Sequence, residues 1–433
     1  MRVVIPPVFA AKADYRTIAQ QDSRILQDFH NDLENAANRV NCHRMHRLIF
    51  IAIAIIYLAF PTKVYYWDGI TFAKTIEDVS SLRPSLVHPN HLIYNFAGYL
   101  FYKFLTNLGF DIRAMTALQI LSSLLSTACA GVLFLILKET LRSVYLSTCM
   151  VLLFAFSATW WKFSTDANAY VPSVLFMLVS FYLVLPDRKP RPLLIAVIFF
   201  ISMAFHQLAV VMFPVLALGL YLQDGPVSWL RRALNVLSFG VIAFVLIVTA
   251  YAYLFYLASG HSDVATLLRW TASFSPDADL RFDLWSNLLY SLRGHVRLFF
   301  GGRFNLLRGL INPFVIVLMV ALTAAVALLV FHALRNIRRI ARLQWVREMH
   351  LGTRQKSVLL LSLLWTGLYL VFLFFWLPQN TFYRLFYLPA LIILIGLALA
   401  SFTNRPAGKF TAIFVAALAL ANFLFLIYPF SSV

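Results

Sequence analysis

Asp68 lies in Tyr65-Tyr66-Trp67-Asp68-Gly69, just after the first apolar run of the chain, among aromatic residues of the kind that settle at a bilayer surface. A carboxylate there is costly near lipid unless it faces water, protein or a substrate. It is either an ordinary loop carboxylate or a general base that takes the proton of an acceptor hydroxyl in a confined, low-dielectric site. Glu77 and Asp78 follow on a helix predicted near 70–81, as helpers to Asp68 or as cap and solubilising charges of that helix.

Other polar residues accompany it. In His88-Pro89-Asn90-His91 the proline forces an extended entry and Asn90 is placed to cap the next helix. Two histidines three apart could begin a metal site, but no third and fourth ligand with sensible spacing lies nearby, and no metal or other cofactor is expected. Trp160-Trp161 marks an interface, and Asp166 beyond it is either the cap of a span beginning near Tyr170 or a second pocket acid. His206-Gln207 sits between two apolar runs, at the tip of a short hairpin, and is read as pocket lining. Arg384 heads a long apolar run with no acid near it in sequence; it either snorkels or forks a phosphate. The segment 259–310 carries Arg269, Arg281, Arg293, Arg297, Arg303 and Arg308 among aromatic and leucine positions, a pattern of interfacial helices on anionic headgroups or of surfaces receiving a lipid phosphate.

The elements that must position these residues are membrane helices. Of 433 residues, 61% are hydrophobic and 12% charged, with a mean hydropathy of +0.78, far from soluble globular composition. Three cysteines make no disulfide framework. The net charge of +18 is spread over loops instead of forming one basic domain, which argues against nucleic acid. Residues 1–47 read as a cytoplasmic lead without the apolar core of a cleavable signal peptide, so the first span acts as its own signal.

Apolar runs measured against the roughly 20 residues that cross a bilayer predict eleven spans, near 48–61, 114–137, 143–160, 170–186, 193–205, 208–222, 233–258, 311–334, 357–377, 385–403 and 410–429. Residues 91–108, interrupted by Asn95 and Lys103, are predicted to lie on the membrane surface. With the amino terminus inside, the inner loops hold 19 Lys and Arg in 58 residues and the outer segments 13 in 126, about threefold less dense. This topology sets Asp68, His88, His91, Asp166, His206, Gln207 and Arg384 on the outer face, from five separate segments. Convergence on one face describes a pocket at the membrane surface.

In their order, these motifs resemble the GT-C superfamily of membrane glycosyltransferases, relatives of protein O-mannosyltransferases and of the lipid A aminoarabinose transferase. Trp67-Asp68-Gly69 with Phe72-Ala73 looks like the first-loop acid motif, and His88-Pro89-Asn90-His91-Leu92-Ile93-Tyr94 like the His-Pro surface helix. Phe163 to Tyr170 is similar to the second outer loop, and His206-Gln207 occupies the tip where relatives often carry a polar or basic residue. The similarity covers about 48–222 and, weakly, 380–400. Asp-Gly stands where the mannosyltransferases have Asp-Glu, the large carboxy-terminal outer domain is missing, and no Asp-x-Asp motif follows Asp68 within the first outer loop.

The resemblance implies an all-α polytopic fold with a catalytic module at 48–222 and a second transmembrane module at 223–433. It implies inverting transfer of a sugar from a polyprenyl-phosphate donor to an acceptor outside the bacterial cytoplasmic membrane. Asp68 would be the base and Arg384, with an arginine of 259–310, would hold the leaving lipid phosphate. His88 and His206 would orient donor or acceptor. A transporter or flippase of a lipid-linked glycan is the alternative, and predicts charged or Gly/Pro-broken positions at mid-membrane, which are sparse. A scaffold would not require polar residues from five segments on one face.

Overall fold

The computed structural model describes residues 47–223, 228–272, 280–302, 352–402 and 405–432, with three single residues between 302 and 352. The predicted span 311–334, most of the basic loop 335–356 and the lead 1–46 lie outside the described residues. The chain divides into Met1–Ala52, of which only the start of α1 (Arg47–Ala59) is described, and Ile53–Val433.

Among the described residues the second unit is helical. In chain order it contains α2 (Trp67–Glu77), α3 (Tyr94–Asn107), α4 (Ala114–Leu141), α5 (Val144–Ala155), α6 (Ala158–Ser164), α7 (Tyr170–Leu183), α8 (Pro192–Phe205), α9 (Phe213–Tyr221) and α10 (Trp229–Ser259). Then follow α11 (Val264–Ala272), α12 (Leu284–Phe299), α13 (Thr353–Trp376), α14 (Leu388–Phe402), α15 (Arg405–Asn422) and α16 (Tyr428–Ser431). A π-helical turn, Phe423–Ile427, joins the last two.

Among the described residues, four stretches are long and apolar enough to cross a membrane, namely α4, α10, α13 and Lys409–Ser431; the pair α5 and α6, bent by 68°, makes a fifth if taken as one span. The other apolar helices, including α7, α8 and α14, run only 10–17 residues. They start where the sequence places them, with Asn168 holding the start of α7 and Pro192 opening α8, but are shorter than a full crossing, so among the described residues four to five of the expected eleven spans have crossing length. The predicted surface helix at 91–108 is α3, and the one at 70–81 is the shorter α2.

Buried serines bind the helices where leucine would hold them apart. Ser173 Oγ donates to the Ser202 carbonyl at 2.9 Å, and Ser202 Oγ to the Ser173 carbonyl at 2.8 Å, so α7 and α8 sit closely side by side. Gly219 of α9 approaches Val184 at the far end of α7, so the chain reverses direction at His206-Gln207 between α8 and α9. Trp160 and Trp161 are buried, 0% and 3% exposed, and pack on Phe154 and Phe156; they are core and not interface markers.

At one end of the helices Glu139 takes hydrogen bonds from Arg188, Tyr182 and Arg354, while Arg354 also pairs with Asp187. These residues belong to three segments expected on a common face. The five segments expected on the other face meet at the opposite end.

Candidate active site

Two loops are joined edge to edge at that end. Thr62 N–H donates to the Thr165 carbonyl at 3.1 Å, and buried Gln119 of α4 donates to both carbonyls, Thr62 at 2.7 Å and Thr165 at 3.0 Å. Further along, the Tyr66 N–H donates to Asp166 Oδ2 at 2.8 Å. Gly69 comes next, so close to the second loop that a Cβ on it would stand 2.5 Å from the Ala167 carbonyl oxygen. The glycine of Trp67-Asp68-Gly69 is therefore a packing requirement, and it seats the first turn of α2 against residues 165–168.

Asp68 in that turn is half-buried. Burial raises its carboxyl above the ordinary 3.8, and the Tyr66 hydroxyl partly offsets the rise by favouring the ionised form. The Tyr66 and Tyr170 hydroxyls lie 3.1 Å apart, and the Tyr383 ring stands 5.9 Å from Tyr170. Burial and, after it, the nearby Asp68 charge raise the Tyr383 hydroxyl to about 12, so at neutral pH it is a hydrogen-bond donor facing an acid. Phe163 and Phe382 close the aromatic wall around Tyr66, at 5.3 and 5.1 Å between ring centroids.

Asp166 is wholly buried and has neither predicted role. Its carboxylate accepts from Tyr66 N–H and from its own neighbour Ala167 at 2.9 Å, while Asn168 Oδ1 caps α7 by accepting from Tyr170 and Val171. Burial pushes Asp166 up to about 6, against the hydrogen bond from Tyr66 and the charge of Lys162. It is the clamp on the Asp68 segment. Glu77 is not a helper to Asp68: it pairs with Arg113 at 2.6 Å and caps α4 at the Ala114 N–H.

The histidines form a row. His88 and His91 stack at 5.2 Å, and His91 meets His206 edge-on at 4.7 Å. His91 Nδ1 lies 3.2 Å from the Phe205 carbonyl, which can only accept, so that nitrogen carries the proton. His206 Nδ1 accepts from the Leu208 N–H, which leaves its Nε2 as a donor. Burial keeps all three neutral, lowering His88 to about 4, His91 to about 3 and His206 well below the ordinary 6.5. Asn90 does not cap α3: its Oδ1 accepts from Gln207 Nε2 at 2.5 Å, and the Gln207 N–H donates to the Asn90 carbonyl. The two predicted loops 88–91 and 206–207 are thereby locked together.

Arg384 is 1% exposed, so it does not snorkel. Its guanidinium donates to the Tyr387 hydroxyl at 2.6 Å and the Pro378 carbonyl at 2.7 Å, and lies flat on Gly294, where a Cβ would come within 2.5 Å of Nε. His295 Nε2, 2.9 Å from the Tyr387 hydroxyl, completes the contact. Both terminal nitrogens bond protein atoms while Nε has no hydrogen-bond partner among the described residues, and Arg384 borders neither of the cavities described next.

Those cavities flank the wall formed by Thr381, Phe382 and Tyr383. One, of about 470 Å³, is apolar, runs between α10, α11 and α13, and ends on Asn90, His206, Gln207 and Tyr383. The other, also about 470 Å³, is lined by Tyr66, Lys162, Arg297, Thr381 and Phe382. Of the expected residues, Asp68, His88, His91 and His206 gather with Gln207 near this wall, Asp166 supports them from behind, and Arg384 faces away. Tyr66, Tyr170, Tyr383 and Lys162 were not singled out in the sequence, where they read as interfacial residues. Compared with known proteins, the chain matches no family model and no curated sequence.

Proposed function

We propose that the chain is an inverting glycosyltransferase of the cytoplasmic membrane, with about eleven membrane passes, that moves a sugar from a polyprenyl-phosphate donor to an acceptor hydroxyl on the outer face. The reading rests on one observation: a half-buried carboxylate, Asp68, stands beside the hydroxyls of Tyr66 and Tyr383, of which the first lines a basic cavity and the second an apolar one. The apolar cavity suits an isoprenoid chain. The polar groups at its end, His206 Nε2–H, Gln207 and the Tyr383 hydroxyl, suit a sugar.

In this mechanism Asp68 accepts the acceptor proton as the acceptor oxygen bonds to the anomeric carbon. The bond from that carbon to the phosphate oxygen breaks, and its electron pair leaves with the polyprenyl phosphate. The raised carboxyl makes Asp68 a stronger base than a solvated aspartate. Asp166 and Gly69 fix its position.

Purified chain in lipid nanodiscs, incubated with a panel of radiolabelled polyprenyl-phosphate sugars and membrane extract as acceptor, is expected to transfer label with inversion at the anomeric carbon. Donor that binds and is moved across the bilayer without being cleaved would overturn the reading in favour of a carrier.

A further inference from the structure

The basic cavity has no role in the donor scheme above, yet it is held in place by specific packing and hydrogen bonds. Its floor is Gly301-Gly302. Gly302 has a φ of +121°, and a Cβ on it would stand 2.6 Å from the Phe425 carbonyl oxygen; a Cβ on Gly301 would meet Leu426 at 2.6 Å and Ala158 at 2.8 Å. Two glycines thus let the chain settle onto the π-helical turn 423–427. Asn422, 1% exposed, holds that junction with three bonds: its Oδ1 accepts from the Gly301 N–H at 3.1 Å, and its Nδ2 donates to the carbonyls of Phe156 at 2.9 Å and Phe299 at 2.7 Å.

Two cations from different elements line the space, Lys162 of α6 and Arg297 of α12. Neither belongs to an ion pair among the described residues. Asp166 is the acid whose charge reaches Lys162, but it lies beyond ion-pair distance and its carboxylate is committed to Tyr66 and Ala167. Lys162 Nζ instead stands 5.9 Å from the ring centres of Phe163 and Phe430. Two cations in an apolar surrounding raise the local concentration of an oxyanion, and a guanidinium forks phosphate with two bonds.

Resting on the glycosyltransferase reading, we infer that this cavity binds a phosphate group carried by the acceptor, so that the acceptor is an anionic molecule. The donor chain occupies the apolar cavity across the Thr381-Phe382-Tyr383 wall, and Asp68 stands where the two substrates meet. The phosphate is either a lipid headgroup or part of a soluble acceptor.

Direct binding separates these sources and needs no turnover. Full-length protein in phosphatidylcholine nanodiscs is titrated in one arm with glycerol phosphate and in the other with short-chain phosphatidic acid, and heat of binding is recorded. One arm is expected to saturate at one ligand per chain, with Lys162→Gln and Arg297→Gln each weakening it about tenfold. Arg293→Gln, an exposed arginine on the same helix that does not line the cavity, is expected to leave it unchanged. Arg297 is also exposed, so its variant carries the test if Lys162→Gln fails to fold. No saturation in either arm, or an equal loss in Arg293→Gln, would overturn the site. Displacement of the bound ligand by polyprenyl phosphate would overturn its assignment to the acceptor. Phosphate binding as expected without sugar transfer would count against the enzyme reading alone.

Discussion

Replacing Gly69 by alanine tests whether the Asp68 segment is held where the chemistry requires it. The added Cβ would stand 2.5 Å from the Ala167 carbonyl oxygen and 3.1 Å from the Ala167 Cβ. The first of these is backbone, fixed by the bonds of Thr165 to Thr62 and Gln119 and of Asp166 to Tyr66, so it cannot swing aside. Overpacking of this kind costs about 1–3 kcal/mol. If the loops part enough to lose the Tyr66 bond to the Asp166 carboxylate, about 1.5–3 kcal/mol more is lost.

Gly98→Ala is the matched control. Its Cβ would come equally close, 2.6 Å from Leu118 Cδ2 and 2.8 Å from Ile76 Cδ1, but these are ends of side chains that can rotate. Thermal unfolding in nanodiscs should show Gly69→Ala destabilised by several degrees more than Gly98→Ala, with sugar transfer lowered further than stability explains. A Gly69→Ala protein with parental stability and activity would refute the clamp.

Arg384→Ala should destabilise the protein by about 3 kcal/mol, by emptying a buried site, unpairing the Pro378 carbonyl and leaving the Tyr387 hydroxyl only its contact with His295, while the folded fraction keeps parental donor affinity. A tenfold loss of donor affinity with unchanged melting would return Arg384 to phosphate binding. The histidine row should make stability fall on the acid side. His88 has a folded value of about 4 against an ordinary 6.5, so above pH 6.5 it is neutral in both states; below that the unfolded chain takes the proton first. At pH 5 this amounts to about 2 kcal/mol from His88 alone, and a melting temperature unchanged between pH 7.5 and 5 would contradict it. Asn422→Ala should lower phosphate binding together with stability, since it unpins Gly301 from α15; binding at parental strength would sever the link between the π turn and the cavity.

The gathering of five separated segments at one end was legible because apolar run lengths and loop charge decide which loops share a face. The hairpin at His206-Gln207 followed from two short runs with polar residues between them. What each polar side chain does at that end was not legible. Asp166 and Asn168 are two residues apart and both can cap a helix, and only the position of the Tyr66 N–H draws Asp166 away from α7. Arg384 reads as a snorkelling or phosphate-binding residue until Gly294, 90 positions earlier, offers it a flat backbone to lie on. Trp160 and Trp161 look interfacial because their run ends there; the 68° bend between α5 and α6 turns them inward. Lys162 carried no signal, since a single lysine beside tryptophans is common at a membrane surface, and the cavity it lines depends on α12 and the last turns of the chain.

Asp68→Asn removes the proton acceptor while keeping size and hydrogen-bonding shape, so it addresses the chemistry with the least disturbance of the fold. Single-turnover transfer from a labelled polyprenyl-phosphate sugar, measured on parent and variant at matched donor occupancy, is expected to fall by at least about a hundredfold with donor affinity intact. Transfer by Asp68→Asn at the parental rate would contradict the central claim.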